Sequence, residues 1–305
     1  MKSSMIKLVK LAAVTAVTWG IGAQVTVASA QVKWQVNYAL STEKAVKSVS
    51  HKASSLSAVK SFMIYYGDAS DSAIKKLSQY QLVIIEPRNW NGTELAQLKK
   101  SGVKVLGYLS VLEQNSNSSL LGQVQNADYL LINGKRDPRS DWDSWSMNIN
   151  SGHYRDLLFA DYQKEIVNKG LDGVFLDTMG DADDGIWNTS ISDSQRDGAV
   201  KFVADLRNKY PSLSIMQNWG LQQLKDRTAP YIDGILWEDF TPKTVVKNAW
   251  SKSRMQELDK LHAANGLSVF TSHVGLSGAQ KSKFDSLNVE HGYVGQVIKK
   301  SYDVI

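Results

Sequence analysis

The sequence predicts an α/β protein, a single-domain (β/α)8 TIM barrel, on three observations. Eight short apolar runs, rich in β-branched and aromatic residues, recur along the chain. Segments with helical periodicity separate several of them. Setting aside residues 1–30 of 305 leaves 275, room for one barrel of ~250 residues. A run that is apolar on both faces fits a parallel strand covered by helices on each side. An open doubly wound sheet is the competing architecture.

The chain begins with an address label. Lys2, Lys7 and Lys10 are basic, Leu8 to Val27 is mostly apolar and free of acids, and Ala28-Ser29-Ala30 is a small-x-small cleavage signal. An uncleaved membrane anchor is the alternative, but Thr15, Thr18 and Gln24 interrupt the run. The expectation is a secreted, extracellular protein with no lasting membrane contact. Residues 31–58, rich in Ser, Lys and Ala, form a lead-in, and 59–305 form the barrel domain.

The strand candidates follow in order. They are SFMIYYG from Ser61, LVIIEP from Leu82, KVLGYLS from Lys104, GVFLD from Gly173, LSIMQNWG from Leu213, DGILWED from Asp233, LSVFTSH from Leu267 and GYVGQVI from Gly292. Between them, SDSAIKKLSQY opens on a Ser/Asp cap with Ile74 and Leu77 on one face. GTELAQLKKSG ends at Gly102, a C-cap position. SQRDGAVKFVADLRNKY sets Val200, Val203, Ala204 and Leu206 on one stripe before Pro211. WSKSRMQELDKLHAANG stops at Gly266. About 60 residues separate the third and fourth strands, roughly twice a normal crossover, so the segment around NADYLLINGKRDPRSDWDSWSMNIN is expected to wall one end of the barrel.

Composition excludes much chemistry. The formal charge of +5 falls to +2 once the three leader lysines are removed, and no run of five like charges exists, which disfavours nucleic acid as a partner. The absence of cysteine removes disulfides, thiolate metal sites and Cys nucleophiles. His51, His153, His262, His273 and His291 have no HxH or HExxH spacing, and GxSxG, GxGxxG and the P-loop are missing. The acids from Asp181 to Asp184 lack the glycine and terminal glutamate of a calcium loop. No cofactor and no metal are expected, and a monomer is.

In such barrels the functional groups sit at the C-terminal ends of strands. Carboxylates follow five of the eight runs: Asp68, Glu86, Glu113, Asp177 and Glu238. Like charges this close repel and shift one another's pKa values, which a fold tolerates mainly for function. Tyr108, Asn218, Trp219, Asp239 and His273 lie on the same rim, with Asp181 and Asp183 just beyond the fourth strand. Asp177 and Glu238 each follow three apolar residues, on nearby strands four and six. That placement suits the two carboxyl groups of glycoside hydrolysis, about 5–5.5 Å apart for retention or ~6.5–9.5 Å for inversion. Trp90, Trp142, Trp145, Trp187, Trp219 and Trp237 lie in or beside rim segments; Trp145 and Trp219, flanked by polar residues, are the better candidates for stacking on a sugar ring.

KGLDGVFLDT, YYGD, VKVLGYLSV and IDGILWEDF resemble glycoside hydrolase family 114, whose type activity is endo-α-1,4-polygalactosaminidase. The resemblance runs from about Ser61 onward. It implies a secreted barrel enzyme cutting galactosamine-containing polysaccharide of biofilm or cell wall, with Asp177 as nucleophile and Glu238 as acid/base of a retaining reaction. Asp68, Glu86, Glu113, Asp181, Asp183 and Asp239 would then meet the ammonium groups of a polycationic glycan. A non-catalytic carbohydrate-binding barrel, or an accessory protein of polysaccharide export, is the competing reading.

Overall fold

Among the described residues of this computed structural model, 54–305, eight parallel strands form one sheet in sequence order: β1 (Phe62–Tyr65), β2 (Leu82–Ile85), β3 (Lys104–Ser110), β4 (Gly173–Asp177), β5 (Ser214–Asn218), β6 (Gly234–Trp237), β7 (Ser268–Val274) and β8 (Val294–Ile298). β8 comes back against β1, though the two are not joined as ladder neighbours. The barrel is therefore nearly closed, with one seam, and the doubly wound alternative falls away. The expected leader, 1–30, and most of the lead-in lie outside the described residues.

The helices between strands are α1 (Asp71–Leu77), α2 (Gly92–Lys99), α3 (Gly152–Tyr162), α4 (Thr189–Lys209), α5 (Leu224–Thr228), α6 (Pro242–Val245), α7 (Ala249–Asn265) and α8 (Gly278–His291). Ser70 caps α1 as its sequence predicts, its Oγ accepting from the Ala73 amide at 3.1 Å. α2 starts at an Asn91–Glu94 capping box. In α4 the buried stripe is Ala199, Phe202, Val203 and Leu206, one step round from the predicted set, because Val200 and Ala204 lie at its edge.

Two apolar layers hold the barrel. Phe62, Ile64, Leu82, Ile84, Leu106, Phe175, Met216, Leu236, Phe270 and Ile298 fill the interior. The alternate residues, such as Val83, Val105, Val174, Ile215, Ile235 and Val269, face the helices. This is the period-two alternation of a strand used on both faces.

The long third connection forms a wall. Glu113–Asn115, Ser144–Ser146 and Pro138–Arg139 make a small antiparallel sheet, with a hairpin of Leu131–Ile132 and Lys135–Arg136 beside it. The other end of the barrel is closed by the last residues of the lead-in. Ser54 Oγ donates to the Asp233 carbonyl at 2.6 Å, the Ser55 amide donates to Asp233 Oδ1 at 3.1 Å, and Leu56 is fully buried in the interior layer. The barrel unit thus begins before residue 59. Leu56→Ala should cost about 2–5 kcal/mol, since the side chain is fully buried in the interior layer; chemical denaturation at equilibrium reads the loss, and an unchanged midpoint would show that this segment only rests on the barrel.

Candidate active site

Strand parity places the polar residues. In β4, β5 and β6 the interior layer is Phe175, Met216 and Leu236, all fully buried. Two residues further on, facing the same way, come Asp177, Asn218 and Glu238. The same step leads from Ile64 to Tyr66, Ile84 to Glu86, Leu106 to Tyr108 and Phe270 to Ser272. The barrel mouth is thus a polar ring resting on a close-packed apolar floor.

Each of the three central strands ends in the same conformation. Thr178, Trp219 and Asp239, directly after Asp177, Asn218 and Glu238, have φ of 61°, 54° and 53°. Left-handed backbone is uncommon for non-glycine residues. It breaks the strand immediately beyond the functional side chain. Thr178 also ties down the start of the wall: its Oγ1 accepts from the amides of Val111 (3.1 Å), Leu112 (2.8 Å) and Glu113 (3.2 Å). Trp219 is held by Gly180, where an added Cβ would sit 2.7 Å from the Trp219 Cβ.

Asn218 joins the two acids. Its Nδ2 donates to Asp177 Oδ1 at 2.7 Å and to Glu238 Oε2 at 2.9 Å. Because both bonds share one nitrogen, those two oxygens lie no more than 5.6 Å apart, the sum of 2.7 Å and 2.9 Å. The opposite amide orientation would aim an oxygen at two carboxyl groups, so the nitrogen belongs there. The price is that Asn218 Oδ1 is buried with no partner among the described residues. Tyr302 donates its hydroxyl to the other Glu238 oxygen, Oε1, at 2.8 Å.

Burial, and then the negative charge of Asp177, push the Glu238 carboxyl up from 4.5 to about 7, against the pull of Asn218 and Tyr302. Asp239 adds a smaller upward push. Three tyrosines complete the mouth. The Tyr66 ring stands 5.1 Å from that of Tyr108 and 5.6 Å from that of Tyr302. Burial, with Asp177 next, raises the hydroxyls of Tyr66 and Tyr108 well above 10, and they stay neutral donors.

The other predicted site residues divide into two groups. Tyr108 lies by Asp177, and Glu86 projects into the mouth but also caps the Pro87–Asn89 turn and pairs with Arg88 at 3.0 Å. Asp239 and Asp68 are exposed and belong to no ion pair among the described residues. By contrast, Glu113 is 5 % exposed, bound to Arg139 at 3.1 Å and to the Ser144 hydroxyl, so it is spent on the wall and not on a ligand. Asp181 is 7 % exposed beside it; burial and then Glu113 raise its carboxyl, which corrects the expectation of a free ammonium partner. Asp183 is consumed as well: its Oδ2 accepts from the amides of Gln222, Gln223 and Leu224 at 3.0, 2.9 and 2.9 Å and its Oδ1 faces Arg196.

His273 has the outward parity and is engaged with the Val274 carbonyl (2.8 Å) and Thr241 Oγ1 (3.1 Å). Trp145 packs edge-on to Tyr129 within the wall at 6.2 Å, and Trp219 lies 6.3 Å from Trp237, both half-buried. Among the described residues no three His, Cys, Asp or Glu side chains converge as a metal would need. Tyr66 and Tyr302 escaped the sequence reading. Counting two residues on from Ile64 would have found the first; nothing in the pattern announces the second.

The family model described as glycoside-hydrolase family GH114 matches residues 42–271. Among solved structures, the glycoside hydrolase domain of PelA from Pseudomonas aeruginosa is similar at 19% identity and a TM-score of 0.61, over 81% of this chain and 97% of that one. Aspergillus fumigatus Ega3, in complex with galactosamine, is similar at 15% identity and 0.63, over 82% and 96%. The GH36 α-galactosidase AgaA of Geobacillus stearothermophilus gives 11% and 0.54, over 84% of this chain and 41% of that one. At these identities the structural likeness is one of fold. A comparison with curated proteins finds no match.

The raised Glu238 carboxyl makes stability depend on pH. The folded chain holds a proton there between about 4.5 and about 7 that the unfolded chain releases, so stability falls as pH rises through that window. Glu238→Gln removes the penalty. It should gain about 2–3 kcal/mol over the parent at pH 8 and little at pH 4.5; thermal unfolding at both pH values measures it, and an equal effect at both would refute the assignment.

Proposed function

Because the chain belongs to glycoside-hydrolase family GH114, we propose that this glycoside hydrolase is exported and cleaves, within the chain, the α-1,4 bonds of a polysaccharide containing galactosamine or N-acetylgalactosamine, in biofilm or cell-wall material. The galactosamine bound by the similarly folded Ega3 supports the sugar class.

The observation that carries the mechanism is the Asn218 bridge. Two carboxyl groups whose facing oxygens lie within 5.6 Å are closer than the ~6.5–9.5 Å at which inverting enzymes leave space for a water, which favours retention. Glu238, protonated near neutral pH, donates its proton to the glycosidic oxygen while Asp177 attacks the anomeric carbon. The leaving chain departs with that proton, and a covalent glycosyl ester forms on Asp177. Glu238, now a carboxylate, takes a proton from water, whose oxygen attacks the same carbon and releases Asp177. Both steps need the two side chains in fixed relation, which rigid strand ends provide.

The tyrosine rings and Trp219 offer aromatic faces for the sugar. Asp239, exposed beside the pair, and Glu86 and Asp68 further round the rim are the carboxylates left to attract the ammonium groups of a deacetylated stretch. Hydrolysis of a cationic galactosamine polymer should therefore weaken as salt rises; equal turnover of a neutral α-glucan, insensitive to salt, would discard this specificity.

New reducing ends from a galactosamine-rich polymer test the activity, and binding without them would favour the non-catalytic reading. Asp177→Asn and Glu238→Gln should each lower kcat by at least about 10²–10⁴-fold while leaving the fold intact. Proton NMR of the first product should show the α anomer; a β product first would rule out retention.

A further inference from the structure

Residues 299–305, beyond β8, are not barrel strand, and they lie outside the residues matched by the family model. They nevertheless enter the mouth at the seam between β8 and β1. The Tyr66 amide, the first beyond β1, donates to the Tyr302 carbonyl at 2.7 Å. The Tyr302 ring packs on Tyr66 at 5.6 Å. The chain passes so close to Gly67 that an added Cβ there would sit 2.8 Å from the Asp303 carbonyl oxygen and 2.6 Å from the Tyr65 hydroxyl. A backbone hydrogen bond and a ring contact, beside the close approach of the neighbouring Asp303, thus fix one tyrosine, whose hydroxyl points at Glu238 Oε1 at 2.8 Å.

We propose that Tyr302 is a positioning residue for the acid/base, delivered by the segment after β8, which holds the Glu238 carboxylate in place once its proton has gone to the leaving group. The proposal rests on Glu238 being the acid/base. With Asn218 on Oε2 and Tyr302 on Oε1, each oxygen of Glu238 has a donor, and the side chain is held in a single orientation. Tyr302 is also the neutral donor suited to the task. Burial and the nearby charge of Glu238 keep its hydroxyl protonated far above neutral pH, so it can donate but not compete as an acid. The groups facing Glu238 are Asp177 from β4, Asn218 from β5, Asp239 beside it, Tyr66 at the end of β1 and Tyr302. Of these, only Asn218 and Tyr302 favour its ionised form; Asp177 and Asp239 oppose it. Tyr302 therefore matters most in the half-reaction in which Glu238 must be a base.

The sign of the effect follows. A hydrogen bond to the charged form lowers a carboxyl pKa. Removing the hydroxyl while keeping the ring, in Tyr302→Phe, should move the alkaline limb of kcat/KM up by about one pH unit and lower kcat at the optimum about tenfold, with KM little changed. The Glu238 carboxyl, followed by carbon NMR in the protein without substrate, should titrate higher by the same shift. Gly67→Ala, which pushes the segment off the β1 end, should move the limb in the same direction. A Tyr302→Phe enzyme whose alkaline limb and Glu238 titration stay where the parent's are would overturn the proposal. Glu238→Gln, assayed alongside, separates the failures. If it stays active, the acid/base assignment falls; if it is inactive while the limb is unmoved, only the role of Tyr302 falls.

Discussion

The amide nitrogen of Asn218, shared between Asp177 and Glu238, is the contact around which the rest of the molecule is arranged. Two carboxyl groups brought this close in a half-dry barrel mouth repel, and burial makes each charge harder to hold. The amide lets one of them stay ionised beside the other without a neutralising cation. A lysine or arginine in its place would keep both acids charged. With a neutral donor in that place, burial and the charge of Asp177 raise the Glu238 carboxyl. The difference between the two acids, one ready to attack and one ready to give a proton, thus follows from where each sits and not from residue type.

Such a pair works only if its spacing does not relax. The strands beneath supply that rigidity, because Phe175, Met216 and Leu236 sit in one fully buried layer directly below and a packed core transmits little slack. Around the mouth, acids that looked like ligand contacts hold the frame. Asp183 fastens the β4 connection to the start of α5 by accepting from three amides. Glu113 binds Arg139 and Ser144, so it ties the three strands of the wall to one another. The rim carries many acids, but fewer of them are free for a substrate than their number suggests.

The eight strands were legible because an apolar run bounded by polar or glycine residues has few other uses, and their limits differ from the structure by a residue or two. Asp177 and Glu238 were legible for the same reason, each ending such a run. Position after a strand is not sufficient: parity decides which residues face inward, so His273 turns away from the mouth while Tyr66 and Ser272 face it. Burial of Glu113 and Asp181 depended on Arg139 and the wall, a long-range contact no local pattern encodes. Tyr302 lies still further from legibility, since it reaches Glu238 across 64 residues and through a seam that exists only when the barrel closes.

The left-handed residues explain how a rigid barrel ends abruptly at its most important side chains. Thr178, Trp219 and Asp239 adopt φ near 60°, at a cost of about 1–2 kcal/mol each relative to a regular conformation. Glycine would remove that cost, but it would also free the backbone at the point where the preceding side chain must not move. A threonine whose hydroxyl gathers three amides and a tryptophan wedged on Gly180 have no comparable freedom once folded. The strain is borne by contacts that lock the turn, so its cost is linked to precision at Asp177 and Asn218. Asn218 carries a cost of its own, a buried Oδ1 without a partner among the described residues, while its nitrogen is committed to the two carboxyl groups.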